Sequence, residues 1–314
     1  MAQQALACYP DPLQGQLSLL CRSENATFLL RAAGQRYALR LHRGDYHQKA
    51  DIVSELQWLD ALRETGIMVP EAVPDKEGEQ VLTLRLPDGS ERYVVLFHWI
   101  EGEMPTTDVD PRAFQQLGQI TARLHQQSKQ WQKPAGFQRI IWDHHTMTSA
   151  ESHWGRWQDA PNLNPADHGV VEQAIAQVGA AMAQFGKGSD RYGLIHADLR
   201  LTNLLLHKGE TRVIDFDDCG LGWYLHDLAA AISFVEHHPR APEWIDHWIR
   251  GYEQVAHISD AEMAMLPALL VQRRIQLTAW VGSHAETEMA RSLGPEWASH
   301  SVRLCRRYLE GERL

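Results

Sequence analysis

Cysteine is scarce in this 314-residue chain: Cys8, Cys21, Cys219 and Cys305 lie scattered, and no two of them form a C-x-x-C pair. That excludes a disulfide framework and a thiolate zinc site, and it reads as the reduced thiols of a cytoplasmic protein. Positive charge is in deficit, with 30 Lys and Arg against 40 Asp and Glu and a formal net charge of −10. That balance argues against a general affinity for nucleic acid or for an anionic membrane, though it leaves room for a local basic patch. No apolar run is long enough to cross a bilayer, and the start, MAQQALACYPDP, has neither the basic nor the apolar segment of a secretory leader. Internal repeats and low-complexity tracts are also lacking.

What is present is ordinary for a globular chain, and 314 residues suggest two lobes rather than one core. From Leu17 to Trp99 short apolar runs alternate with turns, and Ala33-Gly34 and Pro87-Asp88-Gly89 sit where hairpin turns belong. One helix interrupts them from about Lys49 to Arg63, with Ile52, Leu56, Leu59 and Leu62 at helical spacing. After Glu101-Gly102 the character changes. Asp110-Pro111 starts a helix, with Phe114, Leu117, Thr121 and Leu124 on one face. Residues 128–168 read as an irregular insert, Val170 to Phe185 as a helix, and nearly everything after Asp227 as helical. The expectation is an α+β protein with a β-rich lobe over residues 1–100 and a mainly helical lobe over residues 101–314.

The segment from Leu194 to Gly220, LIHADLRLTNLLLHKGETRVIDFDDCG, concentrates polar groups at the edges of strand-like runs. If the runs pair as a hairpin around His207-Lys208-Gly209-Glu210, Asn203 and Asp215 come to one rim with Asp198 nearby. A carboxylate and an amide oxygen are the hard-oxygen donors that magnesium prefers when phosphates supply further ligands. A second carboxylate, free of the metal, can accept a proton from an attacking hydroxyl. Ordinary turn chemistry is the bland alternative, since Asp and Asn favour loops. In the first lobe Arg40 faces away from the Leu39/Leu41 side of its strand, and Glu55 lies in the apolar stripe of the helix, where a carboxylate needs a partner.

H-A-D-L-R-L-T-N followed by I-D-F-D resembles the catalytic loop and metal-binding motif of protein-kinase-like folds. Alanine between His and Asp, and DFD in place of DFG, make the chain similar to the aminoglycoside phosphotransferase and choline kinase superfamily over nearly its whole length. The resemblance implies a bilobal protein-kinase-like fold that binds ATP and Mg2+. It implies Asp198 as catalytic base, Asn203 and Asp215 as magnesium ligands, and Arg200 as a charge clamp on the transferred phosphoryl group. His196 and Asp227 become structural supports of the loop. Arg40 and Glu55 correspond to the strand cation and helix glutamate that hold the α/β-phosphates, with arginine where most of the fold has lysine. Ser23 and Asn25 fall in the loop that covers the nucleotide, which lacks G-x-G-x-x-G, and Phe97 and Trp99 fall in the hinge strand that holds the adenine edge.

The function implied is an ATP- and magnesium-dependent phosphotransferase acting on a hydroxyl of a small metabolite. An acidic rim of Asp217, Asp218 and Glu236 points to an amine-bearing acceptor, an amino alcohol or hydroxy-amino acid such as choline, ethanolamine or homoserine. The alternatives are an aminoglycoside antibiotic kinase, a bacterial serine/threonine protein kinase of the stress-response type, and a nucleotide-binding pseudoenzyme. His144-His145, His153 and His237-His238 fit no zinc spacing. Trp244, Trp248 and Trp280 read as core aromatics, with a box for a quaternary amine as the alternative.

Overall fold

A computed structural model describes residues 1–22, 24–105 and 111–312. In chain order the elements are α1 (Ala2–Leu6), β1 (Gln16–Arg22), β2 (Ala26–Ala32), β3 (Gln35–Leu41), α2 (Lys49–Glu64), β4 (Ala72–Val73), β5 (Leu82–Arg85) and β6 (Glu91–His98). Then come α3 (Arg112–Gln130), β7 (Ile140–Ile141), α4 (His144–Thr148), α5 (His168–Phe185), β8 (Tyr192–Ile195), β9 (Leu204–His207), β10 (Glu210–Val213) and β11 (Gly220–Trp223). The chain ends in α6 (His226–Ala231), α7 (Ala241–Glu253), α8 (Asp260–Ser283), α9 (Glu288–Ser292) and α10 (Trp297–Leu309). The fold is α+β and protein-kinase-like, an antiparallel sheet lobe followed by a helical lobe. Asp110, expected to cap α3, lies outside the described residues. Among the described residues no helix is long and apolar enough to cross a membrane.

Two compact units are distinguished. The β-rich unit comprises Met1–Glu103, Gln132–Arg139 and Leu205–Asp217. Its main sheet runs β1-β2-β3-β6-β4, with β5 also on β6. The β2–β3 turn is Ala33-Gly34, both at positive φ (50° and 73°), the backbone that a two-residue hairpin needs to match strand twist. Alternation gives the sheet two faces. On one, Leu30, Tyr37, Leu39, Val94 and Leu96 are buried under Ala5, Leu6, Tyr9 and Leu13 of the N-terminal segment. The other carries Ala38 and Arg40. Helix α2 begins with a capping box, the Asp51 carboxylate accepting the Gln48 backbone N–H at 2.8 Å. Its apolar stripe places Ile52, Leu56, Leu59 and Leu62 in the core. The β9–β10 hairpin turns at Lys208-Gly209 (φ 50° and 83°) and belongs to this unit, with bridges Met68–Arg212 and Glu103–Leu206.

The helical unit comprises Met104–Trp131, Ile140–Leu204 and Asp218–Leu314, with a small sheet β7-β11-β8. Helix α8 starts at a capping box of Ser259 and Glu262 and is buried on nearly every side from Ala268 to Ala279. Helices α3 and α7 approach closely because each presents a glycine. A methyl group at Gly118 would collide with the Trp248 carbonyl, and one at Gly251 with the Gln115 carbonyl. Backbone cannot yield there as a flexible side chain would. Gly118→Ala and Gly251→Ala should therefore each lower the unfolding free energy by about 2–3 kcal/mol, read from urea denaturation; unchanged midpoints would refute this close crossing.

Candidate active site

In the helical unit the loop between β8 and β9 carries His196, Asp198, Arg200 and Asn203. A fully buried carboxylate, Asp227 at the start of α6, fixes this loop by accepting the backbone N–H of His196 at 3.2 Å and of Ala197 at 2.7 Å. His125 Nε2 lies 2.8 Å from the same carboxylate, and His125 Nδ1 lies 2.9 Å from the Tyr252 hydroxyl. Burial opposes charge on Asp227, yet the His125 hydrogen bond outweighs it and holds the carboxyl below its usual pKa. Ala197 is thereby kept at φ 69°, a left-handed conformation that alanine rarely adopts. His196 is fully buried, and its Nδ1 accepts the Asp198 backbone N–H at 3.3 Å.

The Asp198 side chain is 15% exposed and has three neighbours that can donate to it. Arg273 of α8 donates from Nη2 to Oδ1 at 2.7 Å. Arg200 donates to Oδ2 from Nη2 at 3.3 Å and from Nε at 3.4 Å, and its guanidinium lies 5.5 Å from the Phe234 ring. Asn203 gives its Nδ2 to the Asp198 carbonyl at 2.8 Å and reaches Oδ2 at 3.4 Å. With the nitrogen so committed, Asn203 Oδ1 accepts no hydrogen bond among the described residues and remains a hard-oxygen donor, as a divalent ion requires. His226 is fully buried beside this set, and neither ring nitrogen has a hydrogen-bond partner among the described residues. Burial, with Arg273 nearby, pushes its pKa down to about 3.

In the β-rich unit Arg40 donates to Glu55 Oε2 at 2.7 Å, and both residues are buried. Burial alone would weaken the charge on Arg40; Glu55 and Asp217 reverse that and hold its pKa above the ordinary arginine value. Arg40 Nε also donates to His42 Nε2 at 3.2 Å, which leaves the imidazole proton on Nδ1, 3.4 Å from Asp217 Oδ1. His47 Nε2 lies 2.8 Å from the Asp217 carbonyl, and Arg139 donates to the same carbonyl at 2.5 Å. Phe216 packs edge-on against Trp58 of α2, rings 5.4 Å apart. Asp215 is exposed and sits at φ 62°, a strained position of the kind that functional residues occupy.

Several placements differ from those read in the sequence. Asp217, set with Asp218 and Glu236 on an acidic substrate rim, is buried and accepts the Asn25 Nδ2 at 2.9 Å. His42 and Arg40 hold its carboxyl well below the usual range despite burial. Glu236 is also buried, 2.5 Å from Arg274 Nη1. Asp218 is half-buried, and its charge is felt by Arg273. Asn25, expected at the nucleotide's phosphates, has its amide on Asp217 and its Oδ1 accepting the Arg43 N–H at 3.0 Å. Ser23 lies outside the described residues. In the hinge, the His98 and Trp99 N–H groups are taken by the Glu71 and Arg36 carbonyls, and Phe97 is in the β3–β6 and β4–β6 ladders. Trp244 and Trp248 are core residues. Sequence reasoning missed Arg273, though two adjacent arginines between Leu269-Leu270-Val271 and Ile275 in a helical stretch were a signal. It also missed His42, two residues beyond Arg40 and so on the same side of an extended chain.

The chain matches the phosphotransferase enzyme family over residues 22–266 and belongs to it. It is an ATP-dependent phosphotransferase with an alcohol group as acceptor, a kinase of the small-metabolite type. It is 42% identical to a microcompartment-associated aminopropanol kinase of known structure, with a TM-score of 0.90 over 99% of this chain and 97% of that one. An amicoumacin kinase solved with AMP-PNP, Ca2+ and Ami has a TM-score of 0.76 at 24% identity, covering 99% of this chain and 96% of that one. A homoserine kinase from Gluconobacter oxydans (strain 621H) is 25% identical over 283 residues, 85% of this chain and 83% of its own length.

Buried imidazoles contribute to the response to acid, His47 and His226 among them. Burial lowers the pKa of His47 to about 4 and that of His226 to about 3, whereas an unfolded histidine titrates near 6.5. Below that value the unfolded chain takes up protons that the folded chain refuses. Stability present above pH ~6.5 is therefore lost as pH falls toward 4, at up to about 1.4 kcal/mol per unit for each histidine. Urea unfolding between pH 7 and 4 should show this slope, and His226→Gln should make it shallower; an unchanged slope would contradict a neutral buried His226.

Proposed function

We infer that the protein transfers the γ-phosphoryl group of ATP to the hydroxyl of a short amino alcohol of the aminopropanol type. The observation that carries the chemistry is the loop pinned by Asp227, which holds Asp198 beside Asn203 and two guanidinium groups. The acceptor class is supported by the 42% identity to an aminopropanol kinase across almost the full length of both chains. The β-rich residues 1–100 are assigned to the nucleotide and residues 101–314 to catalysis and the acceptor.

The acceptor hydroxyl oxygen forms a bond to the γ-phosphorus while the bond from that phosphorus to the β–γ bridging oxygen breaks, releasing ADP. The hydroxyl proton passes to Asp198. Arg200, partly exposed, is assigned to face the negative charge of the transferred group. Arg40, held by Glu55, is assigned to the α/β-phosphates; Phe97 and Trp99 are assigned to the adenine, with its edge left to the backbone beyond Trp99. Asn203 and Asp215 would hold a divalent ion, assigned as magnesium, which neutralises phosphate charge when bound. His196 and Asp227 support the loop. The internal roles of Asp217 and Glu236 leave Asp218 as the acid assigned to the acceptor's amine.

ADP release should be measured with aminopropanol, ethanolamine, choline, homoserine, simple diols, aminoglycosides and a general protein substrate. Turnover is expected with the short amino alcohols; phosphorylation of only an antibiotic or a protein would overturn the assignment. Asp198→Ala should lower kcat by about 10³-fold or more with nucleotide affinity within a few-fold of the parent. Asp215→Ala should weaken magnesium-dependent nucleotide binding, and full retention of that affinity would remove Asp215 as ligand.

A further inference from the structure

We propose that Arg273 is the positioning residue of the transfer reaction: it clamps Asp198 through Oδ1 and leaves Oδ2 to meet the acceptor hydroxyl. The proposal rests on Asp198 being the carboxylate that faces the acceptor.

Arg273 is 1% exposed, at the middle of α8, where Leu269, Leu270, Val271, Ile275 and Leu277 are buried as well. A guanidinium is costly to bury, so its hydrogen bonds show what it is there to hold. Nε donates to Ser233 Oγ at 2.9 Å, Nη1 to Gln276 Oε1 at 3.0 Å and Nη2 to Asp198 Oδ1 at 2.7 Å. The plane also lies 4.9 Å from the Trp154 ring. Two neutral side chains and an aromatic face thus fix the fork, and among the described residues its hydrogen-bonded charged partner is Asp198. The adjacent Arg274 is equally buried but serves another purpose, binding Glu236, Ser301 Oγ and the Trp297 carbonyl. That contrast separates a residue holding helices together from one directed at the site.

The two oxygens of Asp198 are unequal. Oδ1 has a short charge-assisted bond to a rigid, buried donor. The hydrogen bonds reaching Oδ2, from Arg200 and Asn203, are all 3.3–3.4 Å long, and Arg200 Nε is shared, 3.3 Å from Oδ1. Fixing Oδ1 stops rotation of the carboxylate, so the loosely held Oδ2 is the atom presented to the hydroxyl. A displacement of about 1 Å at this step costs on the order of 10²-fold in rate.

The test uses the full-length protein with Arg273→Ala, Arg273→Lys and Arg274→Lys, assayed with ATP, magnesium and aminopropanol, and with the slow hydrolysis of ATP by water as an acceptor-independent readout. Arg273→Ala should lower kcat by about 10²-fold, leave the affinity for an ATP analogue within a few-fold, and recover at least part of kcat when ethylguanidinium is added. The parent enzyme should show no such recovery. Arg273→Lys should also be slow, because a point charge cannot span Ser233, Gln276 and Asp198 together; it carries the test if the alanine variant does not fold. Wild-type kcat in a folded Arg273 variant, absence of guanidinium rescue in folded Arg273→Ala, or an equal kcat loss in Arg274→Lys would overturn the proposal. Retained turnover in Asp198→Ala would instead remove the functional reading beneath it.

Discussion

The geometry of the loop from His196 to Asn203 depends on one buried ion, the Asp227 carboxylate. It accepts two successive backbone N–H groups and meets His125, so the cost of burying a charge is offset by three charge-assisted contacts. The same contacts force Ala197 into a left-handed conformation in which alanine is disfavoured by roughly 1–2 kcal/mol. That turn sets the direction of the next residue, Asp198. Tyr252 and His125 extend the support into α7 and α3, where glycines 118 and 251 let the helices come close enough to meet.

Charge around Asp198 is distributed differently from what an acidic rim would provide. Asp217 is engaged with Arg40, His42, His47 and Asn25, and Glu236 with Arg274, so both serve the interior. What surrounds the Asp198 carboxylate is cationic: Arg200 and Arg273. Two guanidiniums beside one carboxylate suit an anionic group more than an amine.

Much of the architecture was legible because local rules agreed with one another. Alternation along Tyr37–Leu41 placed Arg40 opposite the core side, the helical stripe placed Glu55 inward, and the two meet at 2.7 Å. The turns at Ala33-Gly34 and Lys208-Gly209 lie where residue type and spacing put them. The contacts that escaped prediction join residues far apart in the chain. Arg273 and Asp198 are 75 positions apart, and Asn25 and Asp217 are 192 apart. No periodicity encodes such pairs. A buried charge announces that a partner exists without naming it, as the Arg273-Arg274 pair in α8 shows.

The most direct test of this account is a double-mutant cycle on kcat between Asp198 and Arg273, with folding of all four proteins verified. If Arg273 acts through the Asp198 carboxylate, Arg273→Ala should slow the enzyme strongly when Asp198 is present and have almost no effect in the Asp198→Ala background. Additive losses from the two substitutions would contradict the account, because they would mean that the guanidinium and the carboxylate contribute independently.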